Sequence, residues 1–146
     1  MSNLELVKFE DFKEGDSASF AKTITETDVT LFAGISGDFN PLHINEEFAK
    51  TQMFGKRVVH GAFSSALISA VLGTHLFGPG ILYASQNVVF KKPVFIGDTL
   101  TAVATITKKY TKEGKRGVLK FIDLETKVYN QKNDLVTDGS ASIIVI

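Results

Sequence analysis

The longest feature of the hydrophobic pattern is a run from Val58 to Phe90 that contains no Asp, Glu, Lys or Arg. Glycines at 61, 73, 78 and 80, together with Pro79, divide it. The Gly78-Pro79-Gly80 break stops any helix short of the apolar stretch that follows. The run therefore reads as a helix over about Gly61 to Phe77 and a strand over about Ile81 to Lys91, not as a membrane span. A helix that is apolar on nearly every side is a buried one, and the many Ala, Ser and Gly residues of this helix let a sheet approach it closely. Upstream, Ser17 to Ile24 alternates loosely and reads as a strand. Thr25 to Asp28 supplies a cap and early acids for a short helix that carries Val29, Phe32 and Ala33 and ends near Ile35. Asn45-Glu46-Glu47 caps a second, brief helix that begins at Phe48 and ends near Gly55. Downstream, Thr99 to Lys108 is dense in β-branched residues. Val118 to Tyr129 puts Ile122, Leu124, Thr126 and Val128 on one face and Asp123, Glu125 and Lys127 on the other. Asp134 to Ile146 ends in a buried or partner-paired apolar run. The connectors 112–117 and 130–134 carry hairpin residues. The expected order is strand, helix and four strands, each later strand adjacent to the last, which is an α+β layout of one antiparallel sheet on one main helix.

Composition narrows the reading without changing it. A chain of 146 residues is expected to form one domain over 1–146, large enough to bury about two-thirds of its unfolded surface. Sixteen basic and sixteen acidic residues cancel, so nothing favours nucleic acid or another polyanion as partner. The absence of cysteine removes disulfides, thiol nucleophiles and thiolate metal sites, and fits a cytoplasmic protein. The start, Met1 to Glu10, has neither an apolar signal core nor an arginine-rich presequence, so export is not expected.

Candidate chemistry is concentrated between Gly37 and His43. Asp38, Asn40 and His43 fall within six residues, with Pro41 between them. Proline fixes its own φ and biases Asn40 away from helix, so 38–43 is expected to be a shaped loop and not a helix face. Gly37 gives room for a tight turn. Such a loop can bring Asp38 and His43 together around one water, with Asn40 orienting a group, and so supply an acid–base pair. Residue by residue, ordinary turn chemistry is the favoured explanation of the same positions.

The whole string decides between these readings. Phe-x-x-x-Ser-Gly-Asp-x-Asn-Pro-Leu-His, from Phe32 to His43, closely resembles the signature of the MaoC-like (R)-specific enoyl-CoA hydratases, which have the hotdog fold. The resemblance continues through Phe54-Gly55, Val58-Val59-His60-Gly61, Lys92-Pro93-Val94 and Gly97-Asp98-Thr99-Leu100, and covers about Phe9 to Thr107. It implies an antiparallel sheet wrapped around a central buried helix, and reversible addition of water to trans-2-enoyl-CoA to give the (R)-3-hydroxyacyl-CoA. It implies Asp38, Asn40 and His43 as the catalytic constellation. It also implies no cofactor apart from the CoA of the substrate, and a homodimer whose sheets pair with the acyl and CoA groove near the interface. On this reading Asp38 activates water and His43 is its partner in proton delivery, or the reverse, while Asn40 positions water or substrate. The backbone N–H of Gly61, at the start of the buried helix, is the candidate oxyanion donor, because helix N-termini present free N–H groups and a positive dipole end.

Other residues carry less. His60 reads as structural at the start of the buried helix, and His75 as a cap or dipole partner at its end. Asp38, His43 and His60 lack a metal-ligand spacing, so no metal is expected. Ser64 and Ser65 lack a nucleophile-elbow context and read as packing residues. Lys56, Arg57, Lys91 and Lys92 are candidates for the CoA phosphates, although basic pairs also occur on ordinary solvated surfaces. Hotdog thioesterases and bacterial hydroxyacyl-ACP dehydratases place a carboxylate on the central helix, and this helix has none. A MaoC-like dehydratase acting on ACP-linked chains remains as an alternative. So does a non-catalytic acyl-thioester-binding hotdog domain, since a fold does not fix a function.

Overall fold

In the computed structural model, residues 5–115 and 117–146 are described; the first four residues of the N-terminal stretch and Arg116 of the 112–117 connector lie outside them. A 3₁₀ turn, Phe9–Asp11, leads into strand β1 (Ser17–Thr23) and helix α1 (Glu26–Ser36). Two short helices follow, α2 (Pro41–Ile44) and α3 (Glu46–Lys50), and then the main helix α4 (Gly61–Ala70), continued by a π-helical segment, Val71–Leu76. Strands β2 (Ile81–Phe90), β3 (Thr99–Gly114), β4 (Gly117–Tyr129) and β5 (Leu135–Val145) complete the chain. The caps are the ones the sequence offers. Thr25 and Asp28 exchange side-chain and backbone bonds as a capping box on α1, and the Asn45 side chain accepts from Phe48 N–H on α3.

All strand pairs are antiparallel, in the order β1-β3-β4-β5-β2. The alternation in β4 is real: Ile122, Leu124, Thr126 and Val128 are all buried. They meet Phe63, Leu67, Ile68, Val71 and Leu72 of the long helix together with Leu100, Ala102, Ala104 and Ile106 of β3. This is the hotdog arrangement of one sheet packed on one helix.

Four features differ from the sequence expectation. First, β2 is not adjacent to β3 but pairs with β5. The 91–98 segment is the reason. Val94 C=O accepts from Val59 N–H at 2.8 Å, Phe95 bridges to Val58, and Gly97 N–H donates to Ile24 C=O at 2.8 Å. These bonds carry the chain across the helix start to the far side of the sheet. Second, the apolar last strand β5 is therefore interior, and the sheet edges are β1 and β2. Third, β3 runs six residues beyond Lys108 as a protruding hairpin with β4, where Tyr110 and Phe121 stack at 5.2 Å under Lys112. Fourth, the long helix is buried on one side only. Phe63, Ser64, Leu67 and Ile68 face the sheet, whereas Ala62, Ala66, Ser69 and Gly73 are exposed, because the sheet reaches a single flank. No helix among the described residues is long and apolar enough to cross a membrane.

Candidate active site

Gly37 ends α1 in the left-handed region, with φ 77°, and its N–H closes the helix on Ala33 C=O. The chain then turns through Asp38. One carboxylate oxygen of Asp38, Oδ1, accepts from Asn40 N–H at 3.1 Å, and Asn40 Oδ1 accepts from Leu42 N–H at 3.0 Å. Asn40 is extended, as a residue before proline should be, yet Pro41 begins a helical turn instead of preventing one. The expectation of a loop through His43 is corrected accordingly: 38–40 is loop, and His43 stands on the one-turn helix α2. Asn40 is the cap that orients this turn.

His43 is fixed by its other nitrogen. Its Nδ1 lies 2.7 Å from Val58 C=O, and a carbonyl only accepts, so Nδ1 carries the proton. In the neutral ring Nε2 is then the acceptor, and it faces Asp38 Oδ2 across 3.8 Å. The His43 side chain is 12% exposed and that of Asp38 50%. His60 closes the cluster from beneath. Its Nε2 donates to Asp38 C=O at 2.9 Å, and its ring packs on the His43 ring with centroids 3.9 Å apart.

A cavity of about 370 Å³ opens beside this cluster, lined by His43, Gly61, Ser64, Phe90, Lys91 and Thr137 among others. Gly61 is the first residue of α4, and its N–H has no protein partner among the described residues. The Phe90 ring lies against it so closely that a Cβ on Gly61 would meet ring carbons at 3.1 Å. Ser64 Oγ donates to Gly61 C=O at 2.7 Å and lies 2.8 Å from Thr137 Oγ1. With the Ser64 proton committed, Thr137 is the donor in that second bond.

The cavity thus gathers His43, Gly61, Lys91 and Lys92 of the residues singled out from sequence, with Asp38 reaching it through His43. Lys92 is bonded to Asp134 at 2.6 Å, and this bond, with a further one from Asn130, holds the Asp134 carboxyl below its usual range. Lys56 lies 3.9 Å above the Phe95 ring, at a neighbouring depression that shares Lys92. Arg57 is engaged elsewhere: its guanidinium binds Glu26 at 2.5 and 2.7 Å and Glu46 at 2.9 Å. Ser64, read as packing, also forms cavity wall. The signal for it was its i+3 spacing from Gly61, which puts both on one helix face. His75 stacks on Phe20 at 4.9 Å. Ligand atoms of Asp38, His43 and His60 lie within 4.8 Å of one another. With His43 Nδ1 on the Val58 carbonyl and His60 Nε2 on the Asp38 carbonyl, the two atoms left facing each other are His43 Nε2 and Asp38 Oδ2, an arrangement suited to holding a water.

The chain is similar to several known proteins along nearly its whole length. A family model described as "MaoC like domain" matches residues 11–128. The (R)-specific enoyl-CoA hydratase of Rhodospirillum rubrum is 47% identical over 143 residues, covering 98% of this chain and 94% of that protein. The (R)-specific enoyl-CoA hydratase of Aeromonas caviae is 36% identical over 129 residues, covering 88% of this chain and 92% of that protein. Among solved structures, the unliganded R-hydratase PhaJ1 of Pseudomonas aeruginosa superposes with a TM-score of 0.85 at 36% identity, covering 94% of this chain and 84% of that one.

Proposed function

Because this chain belongs to the MaoC-like domain family and is a hydro-lyase of it, we propose that it is an (R)-specific enoyl-CoA hydratase. It adds water reversibly to trans-2-enoyl-CoA. The observation that carries this reading is the 3.8 Å gap between Asp38 Oδ2 and His43 Nε2. With His43 neutral both atoms are acceptors, and one water beside the gap can donate to both. As the water oxygen bonds to C3, the C2=C3 electron pair moves toward the thioester, whose oxygen takes enolate charge. The proton released from water passes to the pair, with Asp38 as base and His43 as its partner in delivery, and a proton returns to C2. Dehydration runs the same steps backward. Gly61 N–H donates to the enolate oxygen, a type of contact worth about 3–4 kcal/mol of transition-state stabilisation. Asn40 positions the site by capping α2. The chemistry requires no cofactor beyond the CoA of the substrate.

Lys91 and Lys92 stand on the cavity wall and Lys56 at the adjoining depression, and we place the CoA phosphates along that rim. We also propose a homodimer paired along β2. Its residues Leu82, Tyr83, Val89 and Phe90 are 39–53% exposed on a sheet edge, a combination that soluble proteins ordinarily cover.

The test is loss of enoyl-thioester absorbance with crotonyl-CoA, with the product's chirality determined, for wild type, Asp38→Asn and His43→Asn. Turnover to the (R)-3-hydroxy product is expected, with each folded variant slower by roughly 100- to 10,000-fold. A folded wild type inactive on crotonyl-CoA, longer enoyl-CoAs and ACP thioesters would sink the reading and favour a binding domain. Activity confined to ACP thioesters would move the substrate to that carrier.

A further inference from the structure

We propose that His60 is a positioning residue that holds the Asp38 backbone and the His43 ring at the separation their shared water needs. The proposal rests on the hydratase reading for its kinetic arm only. His60 is the residue before Gly61 and occupies the N-cap of α4, yet its side chain makes no capping bond to its own helix. Residues at this position ordinarily use a short oxygen-bearing side chain for that purpose. Here the ring is 97% buried, since only 3% of the residue is accessible. One face lies against His43, with centroids 3.9 Å apart and planes tilted 31°, and Phe32 packs at 5.0 Å. Its Nε2–H donates to Asp38 C=O at 2.9 Å. The remaining ring atom, Nδ1, is buried with no partner among the described residues, and an unsatisfied buried polar atom in a native fold calls for an explanation.

A role in geometry supplies one. Asp38 sits on a loop whose other ties are local: its N–H donates to Ser36 Oγ and its Oδ1 accepts from Asn40 N–H. Those bonds shape the turn and tie it to the start of α2 through Asn40. His60 adds a hold from a third element, keeping the Asp38 carbonyl at one edge of the ring and the His43 plane on its face. Because Gly61 is the next residue, the same ring also sets the base and proton donor relative to the oxyanion N–H. An apolar filler of the same size would keep the packing and lose the link to Asp38.

Two variants separate these contributions. His60→Phe keeps a ring between Phe32 and His43 but has no N–H for Asp38. His60→Gln keeps a donor near the Nε2 position without the ring. For His60→Phe we expect kcat to fall about 100-fold, the scale of a catalytic group displaced by about 1 Å, with KM changed by less than about threefold. His60→Gln is expected to recover at least about a tenth of wild-type kcat through its retained donor. In an Asp38→Asn background, His60→Phe should add less than about threefold, since no base remains to be placed. Wild-type kcat in His60→Phe, equal losses in both variants, or a full independent loss in the Asp38→Asn background would each overturn the proposal. If His60→Phe does not fold, His60→Leu, which also lacks a donor for Asp38, takes its place in each comparison, with the same loss expected and the same outcomes overturning the proposal. The imidazole nitrogen resonances give a reading without turnover. Wild type is expected to show the proton on Nδ1 of His43 and on Nε2 of His60, and His60→Gln to broaden or split the His43 signal. An unchanged His43 signal counts against positioning. A wild type without hydratase activity counts against the reaction and leaves that spectrum to judge His60.

Discussion

Ser64 and Thr137 form a hydroxyl chain in which each proton has one place to go. Ser64 donates to Gly61 C=O, so Thr137 must donate to Ser64. Both side chains are buried, at 3% and 1% exposure. The direction of the chain predicts an asymmetry between two conservative substitutions. Thr137→Val removes a donor but leaves Ser64 bonded to Gly61, and should cost about 1 kcal/mol of stability. Ser64→Ala strands the Thr137 hydroxyl and removes the side-chain bond to the Gly61 carbonyl at the start of α4, and should cost about 2–3 kcal/mol. Urea melts of the two variants give the order directly, and a larger loss in Thr137→Val would show that the protons run the other way. Contacts of this kind mark the limit of what a single sequence shows. Asp38, Asn40 and His43 were legible because a turn gathers near neighbours. His60 on Asp38, Thr137 on Ser64 and Phe90 on Gly61 bridge 22, 73 and 29 positions, and no local spacing encodes them. Within the legible string one detail still went astray, because Pro41 is compatible with both a loop and the first residue of a helix.

Helices α1 and α3, which flank the Asp38 turn, are held by one cation. Arg57 bonds Glu26 of α1 through two guanidinium nitrogens and Glu46 of α3 through a third. The bond from Arg57 holds the Glu26 carboxyl below its usual 4.5, against an opposing effect of burial. A carboxylate lowered in the fold stabilises it fully above the unfolded-state value, and that contribution is lost as pH falls through the lowered one. Glu26→Gln should therefore be less stable than wild type at pH 7. Since the Glu26 side chain is 59% exposed, the difference should stay below about 1 kcal/mol. The gap should narrow below pH 4.5 and close once Glu26 is protonated. Thermal melts from pH 7 to pH 3 follow it, and a gap constant with pH would mean that Arg57 does not use this carboxylate. Most elements were legible at this scale, since Thr25 and Asn45 announce their helices and the alternation of β4 announces its buried face. The position of β2 was not. The segment after it carries ordinary turn residues, and bonds to distant backbone, among them those of Val94, Phe95, Gly97 and Asp98, take the chain across the sheet instead of back along it.

At the scale of the whole molecule, the uncharged run from Val58 to Phe90 has not been used up by the core. Part of it is the exposed flank of α4, at Ala62, Ala66, Ser69 and Gly73, and part is β2, where Leu82 is 53% and Val89 51% exposed. Gln86 on β2 lies 3.5 Å from Ser65 C=O on the helix, so the two surfaces adjoin. Exposed apolar residues on an open strand edge invite pairing with another chain, and proteins that stay monomeric blunt such edges with charge. This edge has none. A second copy laid antiparallel along β2 would satisfy the edge and cover the small-residue flank. It would also bring a neighbour close to Phe90, hence to Gly61 and the cavity. Sedimentation equilibrium of wild type is expected to give twice the 15.9 kDa chain mass. Leu82→Lys and Val89→Lys place a charge on the edge at positions already half exposed, where an isolated chain would tolerate them within about 0.5 kcal/mol. In the paired molecule the same charges are buried and should shift it toward single chains. Hydratase activity is expected to fall in step with dissociation and to return at higher protein concentration. A wild type that sediments at the mass of one chain with full activity would leave the edge unexplained by pairing. Full activity in dissociated Val89→Lys would keep the dimer but remove it from catalysis.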